Sequence, residues 1–191
     1  MDSKLWTQMD EDDVQRLLAA ERKDDLLLSV LTIEGATQEE ISTTRRQIRA
    51  WGKRVKMLLD KESELSNAEA MRTILVDHLD FHGERSDYYH PQNSFLTIVM
   101  ERRKGLPISL SLIWICVAQE ADIVIKGVGM PGHFLIAVEE SDGIVYVDPF
   151  DRGTPLNAED CRALMNELFQ HTREWKSEYL NTVTTEEILE R

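Results

Sequence analysis

Cysteine is scarce in this chain. Cys116 and Cys161 are its only thiols, too few for a disulfide framework, and no Cys-x-x-Cys pair offers a thiolate zinc site. Glycine and proline are also few, nine and five in 191 residues, which excludes a low-complexity or disordered composition. No long apolar run is present, and the opening "MDSKLWTQMDEDD" is polar from the start. Neither a membrane span nor a signal peptide is therefore expected, and the expected location is the cytoplasm. Basic residues are outnumbered, 22 Lys and Arg against 35 Asp and Glu, for a formal net charge of -13. Such a surface repels phosphate backbones and anionic lipid, so neither a nucleic-acid nor a membrane partner is expected.

What is present is a globular pattern long enough for one real core. The first half is helical. "DEDDVQRLLAAERK" starts with acids and ends with bases, the order a helix dipole favours. "TQEE" at Thr37–Glu40 and "SNAE" at Ser66–Glu69 are capping boxes. Behind the first, Ile41, Ile48, Trp51, Val55 and Leu58 form one stripe at helical spacing. The second opens a helix through about Leu79, which Gly83 breaks, and "ERSDYYHPQ" reads as a loop. Asn93 is placed to cap "SFLTIVMERRK", with Gly105 as its stop and "ERRK" as a solvated helix end. Pro107 suits the first turn of "ISLSLIWICVAQEA", which is apolar nearly all round and so central, at about 107–121. Then "IVIKGV", "HFLIAV" and "IVYVD" read as strands, and "NAEDCRALMNELFQ" returns to helix with Asn157 as its cap. Helices, then a small antiparallel sheet, then more helix make an α+β domain. Residues 1–191 are expected to form a single domain: a helical part to about 80, a core to about 156 and C-terminal helices beyond.

His133 and Asp148 sit at matching ends of the last hairpin. A loop at Glu139–Asp142 would place them directly opposite, with Cβ atoms about 4.5–5.5 Å apart. A tight turn at Asp142–Gly143 would slip the register and separate them. Gly132, just before the histidine, is suited to an unusual backbone angle. His78 and His82 are spaced i, i+4 near Asp77 and Asp80, but Gly83 ends the helix there; surface polar residues are the better reading, and no metal or cofactor is expected.

The segment from Asp24 to Leu168 resembles the SirB-type family of bacterial proteins, within the transglutaminase-like superfamily (the second transglutaminase core type). The matching landmarks are "DYYHPQNS", "ERRKGLPISL", "PGHF" and "DPF", all between Phe81 and Phe150 and in the family's order. The resemblance implies a papain-like core. In its catalytic members a Cys at the N-terminus of the central helix is paired with a His and oriented by an Asp on adjacent strands. His133 and Asp148 match the His and Asp, which favours the four-residue loop. The family's G-x-C pattern reads "GLP" here, so Pro107 stands where the nucleophile belongs. The resemblance further implies continuation into tetratricopeptide-like repeats after the core, which "TTEEILER" at the end of this chain would begin.

Among substitutes, Cys116 lies about 13 Å along the helix in an apolar run and reads as inert. Ser109, on the first turn, is the better candidate, although it points about 200° round the helix from residue 107 and suits a backbone-bonding role. Tyr88, Tyr89, Asn93 and Pro107 are expected to line or support the cleft of His133. Two functions follow as expectations. The favoured one is a non-catalytic transglutaminase-like domain that binds a protein or peptide. The alternative is an amide hydrolase or acyl transferase using Ser109.

Overall fold

The computed structural model describes residues 25–191; the helix read over residues 10–23 lies outside them. The first described element is α1 (Leu26–Ile33), capped by the Asp25 carboxylate, which accepts the Leu28 amide at 3.0 Å. The long α2 (Gln38–Lys61) follows. Thr37 and Glu40 close its capping box reciprocally, and Ile41, Ile48, Trp51 and Val55 are buried along its inner stripe. Ser66 and Glu69 cap α3 (Asn67–Arg72), which widens into a π-helical turn over Thr73–His78. The helix stops at Asp80, which turns left-handed (φ 59°), before Gly83 is reached.

His82–Gly83 (β1) pairs in parallel with Lys104–Gly105 (β2), a bridge that two-residue runs do not announce. Between them lie a short 3-10 turn (Pro91–Asn93) and α4 (Leu96–Arg102). Asn93 is not the cap of α4. Phe95 occupies that position and has no acceptor. Instead the Glu34 carboxylate, reaching from the end of α1, accepts the Leu96 amide at 2.5 Å. The helix ends at Arg103, in the left-handed conformation (φ 61°), two residues before Gly105. The basic end of α4 is only partly solvated. Arg102 donates to the Asn93 side chain at 3.1 Å and pairs with Glu84. Arg103 lies between the Trp51 and Phe81 rings, 4.8 Å from each centroid.

The central α5 (Pro107–Glu120) is buried from Ser109 through Ala118 and packs on α2, α4 and the sheet. A four-stranded antiparallel meander follows: β3 (Ile125–Val128), β4 (Leu135–Glu140), β5 (Gly143–Asp148) and β6 (Thr154–Leu156). β4 shows why the sheet is an interior layer. Ile136 and Val138 join the main core with α5, while Leu135 and Ala137 join a second cluster with Cys161 and Met165 of α6 (Ala158–Leu168). Alternate residues of one strand thus serve two layers, as a period of two requires. Beyond α6, Thr182 bridges to Val128 and the Val183 amide bonds Gly127, covering the outer edge of β3. The chain closes with α7 (Thr185–Leu189), whose Ile188 is buried in the main core. Among the described residues no helix is long and apolar enough to cross a membrane.

The hairpin register differs from both sequence expectations. Glu140 faces Gly143 and Ile136 faces Val147, so the loop is the pair Ser141–Asp142. In that register Asp148 is level with residue 135, and His133 lies two residues before β4 begins.

Candidate functional site

His133 reaches the sheet through a turn. Gly132 adopts φ +72°, where a side chain would be strained, and the His133 amide closes back on the Met130 carbonyl at 3.1 Å. The imidazole is therefore free of the strand's alternation and swings across the hairpin end. Its Nε2 lies 2.9 Å from Asp148 Oδ2. The two residues meet diagonally, not as directly opposed partners. Both side chains are nearly enclosed, 8 % and 6 % exposed. A carboxylate only accepts, so Nε2 carries the proton of this bond and Nδ1 is left as the basic nitrogen.

Asp148 divides its oxygens. Oδ2 holds the imidazole, while Oδ1 accepts the amides of Phe150 at 2.9 Å and Asp151 at 3.3 Å. The "DPF" motif is thus an aspartate-capped turn after β5. It presents the Phe150 ring edge-on to His133, with centroids 5.9 Å apart, and edge-on to Tyr88 at the same distance. The Phe150 carbonyl accepts the Gly83 amide at 2.9 Å, which ties this turn to β1. A Cβ at Gly83 would stand 2.5 Å from the Phe150 ring, so glycine there is a packing requirement.

The loop after β1 supplies the tyrosines. Glu84, itself buried, accepts the Ser86 hydroxyl and amide and the Asp87 amide, with Lys104 nearby. These bonds, the Ser86 hydroxyl first, hold its carboxyl down to about 2. Asn93 pins the same loop: its side-chain amide donates to the carbonyls of Asp87 at 2.7 Å and Tyr88 at 3.1 Å. Tyr88 is thereby set against Phe150, and Tyr89 stands out 92 % exposed.

His133, Asp148, Tyr88 and Tyr89 line one cleft of about 690 Å³, together with Arg85, Phe150 and, from α6, Leu164 and Leu168. Asn93, Pro107 and Ser109 are not among its lining residues. Asn93 acts from behind, through the loop. Pro107 is buried at the first turn of α5. The Ser109 hydroxyl donates to the Asn93 carbonyl at 2.8 Å, with the Leu106 carbonyl 3.1 Å away, and accepts the Leu106 amide at 2.9 Å. All of its hydrogen bonds run to backbone, and none to His133. Cys116 is fully enclosed, and burial pushes its thiol up to about 12; Cys161 is buried and pushed up to about 11 by the same cause. His82 Nδ1 bonds the Asp80 carbonyl and His78 faces Arg54, so the two imidazoles are separately engaged. A hollow of similar size, about 740 Å³, lies beside Ser66–Arg72. Its one built feature, the Glu140 carboxylate, already accepts the amides of Asn67 and Ala68.

The sequence named the dyad and the tyrosines but passed over Phe150, Arg85 and the α6 wall. "DPF" carried a signal for Phe150, since a turn aspartate followed by proline fixes where the next side chain points. Arg85 and Leu168 carried none, because only the tertiary fold brings α6 to the hairpin end.

The model of the transglutaminase-like superfamily matches residues 42–191. A UPF0162 protein of Xylella fastidiosa is 46 % identical over 93 residues, which cover 49 % of this chain and 33 % of the relative. A UPF0162 protein of Pseudomonas aeruginosa is 37 % identical over 101 residues, 53 % of this chain and 36 % of the relative. Human F-box only protein 21 is 31 % identical over 119 residues, 58 % of this chain and 19 % of the relative. The chain thus spans about a third of the length of these bacterial relatives and about a fifth of the F-box protein. No solved structure matches it. With the family model covering most of the chain, and a fold of helices around a small antiparallel sheet, this protein belongs to the transglutaminase-like superfamily.

Proposed function

We infer that this chain is a non-catalytic transglutaminase-like domain of the SirB type that binds a protein or peptide segment in the cleft beside His133 and Asp148. Pro107 carries the inference. Covalent acyl transfer in this superfamily needs a thiol at the start of the central helix, and a backbone N–H there to receive the developing oxyanion. Proline supplies neither, since its ring has no nucleophile and its nitrogen has no hydrogen. The imidazole and its carboxylate then serve as a polar anchor in a cleft walled by aromatic and aliphatic side chains, the mixture that ligand sites favour.

The alternative, an amide-cleaving or acyl-transferring enzyme acting through Ser109, requires the serine proton to leave the Asn93 carbonyl at 2.8 Å and be taken by His133. Its bonds favour the role of a first-turn serine that satisfies backbone groups. Activity profiling with an acyl-fluorophosphonate and with a glutamine–amine probe pair separates the readings. The binding reading expects no labelling and no amine incorporation by the wild-type chain. Labelling of the wild type that disappears in His133→Ala would overturn it.

A further inference from the structure

The cleft of the dyad does not end at Phe150. Its lining residues Arg85, Phe150 and Asp151 are shared with a second hollow of about 310 Å³, whose other walls include His82, Lys104 and Arg152. The two halves differ in chemistry. The far half gathers Arg85, Lys104 and Arg152, with His82, beside two carboxylates, Glu84 and Asp151, on a protein whose formal net charge is -13. The near half carries Tyr89 and Leu168, two of the six large hydrophobic side chains exposed among the described residues. Exposed apolar side chains that cluster at a concave site, and are not scattered singly, mark a contact surface.

The acids of this half, Glu84 and Asp151, are engaged both by their own loops and by the neighbouring cations. Glu84 is held by Ser86 and Asp87. Asp151 takes Arg85 at 2.7 Å and also accepts the Thr154 hydroxyl. Arg152 pairs with Asp80 at 3.1 Å, and Lys104 approaches Glu84 only to 4.0 Å. Arg85, Arg152 and Lys104 are each well exposed, so these pairs are weak and leave donors free for a further carboxylate.

Resting on the peptide-binding reading above, we propose that this two-part groove takes an extended peptide with an acidic residue at one end and a large apolar residue at the other. The carboxylate sits on Lys104, Arg152 and Arg85. The peptide crosses Arg85, whose guanidinium lies over the Phe150 ring at 5.1 Å, and its apolar side chain packs on Leu164, Leu168 and Tyr89 beside His133. A net charge of -13 disfavours acidic ligands in general, so a local cluster of cationic side chains selects position as well as charge.

The test uses the full chain and a peptide array. Each decapeptide carries an acidic pair and a leucine–phenylalanine pair separated by zero to six glycine or serine residues. Controls replace the acids with lysine, replace the apolar pair with serine, or scramble the order. The expected result is selection of one narrow range of spacings, lost in both replacement controls. The best peptide, fluorescein-labelled, is then titrated by fluorescence polarisation. Lys104→Gln with Arg152→Gln is expected to weaken it by about tenfold or more, increasingly so at low salt. Leu168→Asp is expected to weaken it at all salt concentrations. Thermal melts of the variants confirm that they fold. Binding that survives loss of the acidic pair, or is unchanged in the Lys104/Arg152 variant, overturns this inference while leaving a peptide-binding cleft standing. An array on which no peptide binds overturns both.

Discussion

Glu34 is the residue whose ionisation opposes its surroundings most openly. Burial dominates, and raises its carboxyl from the usual 4.5 to about 7; the amides of Leu96 and Thr97 pull the other way without cancelling it. The consequence for stability has a definite sign. The folded chain holds this proton more tightly than the unfolded one, so its contribution is fully present below about pH 4.5 and is lost as pH rises through about 7. Glu34→Gln keeps an acceptor for the Leu96 amide and removes the charge. It is expected to flatten the pH dependence of urea unfolding between pH 4.5 and 8, gaining up to about 3 kcal/mol over wild type at pH 8. An unchanged pH slope would show that the carboxylate is better solvated than its burial implies. A second residue-scale prediction concerns Asp148. Asp148→Asn preserves an acceptor for the Phe150 and Asp151 amides and costs about 1 kcal/mol; Asp148→Ala orphans both and costs about 3 kcal/mol. In Asp148→Asn the side-chain amide can face the ring as a donor, so His133 is expected to move its proton to Nδ1, a change that nitrogen-15 NMR of the ring reads directly.

Elements were legible where their signals are local. "TQEE" and "SNAE" open helices as read, because a capping box is satisfied within four residues. The apolar run of α5 marked it as central, and a β-branched and aromatic run bounded by turn residues marked β4. The hairpin register was not legible. "EESDG" offers several polar loops of similar propensity, and the choice among them is made by β4, whose two faces must meet α5 and α6 at once. His133 and Asp148 meet in spite of the changed register because His133 lies outside the strand, where Gly132 sets its approach and strict facing is not required. Pro107, two residues after Gly105, was visible in sequence; that Ser109 is bonded to Asn93 depends on where the 3-10 turn before α4 sits, which no short-range pattern encodes. The two-faced burial of β4 makes a quantitative demand. Leu135→Ala, at a side chain with no exposure, is expected to cost about 2–5 kcal/mol in chemical denaturation. A cost below 1 kcal/mol would mean that the α6 layer is not part of the cooperative core.

At the scale of the whole molecule, the last segment closes the fold. Thr182 and Val183 cover the edge of β3, and Ile188 of α7 enters the main core beside α1. A chain ending at Leu180 would present an unpaired strand edge over Ile125–Val128, a template for intermolecular pairing. Such a variant is expected to melt at lower temperature and to scatter light at concentrations where the full chain stays clear. Equal stability and equal clarity would show that the segment is an accessory to the core. The same scale explains why charge could be read from composition but the groove could not: a net value of -13 averages over a surface on which the loop after β1, β2 and the turn after β5 bring Arg85, Lys104 and Arg152 together from three stretches of sequence.

The division of labour within Asp148 bears on how such a domain changes over evolutionary time. One of its oxygens builds the corner that follows β5 and the other steers an imidazole, so a lineage in which the cleft changes its role still gains stability by keeping the aspartate. The histidine has no comparable second side-chain hydrogen bond; beyond its edge-on packing against Phe150, the use of the cleft is what constrains it. In descendants of this domain, replacement at 133 would therefore mark a cleft whose role has changed, whereas persistence of 148 would attest only to an intact corner.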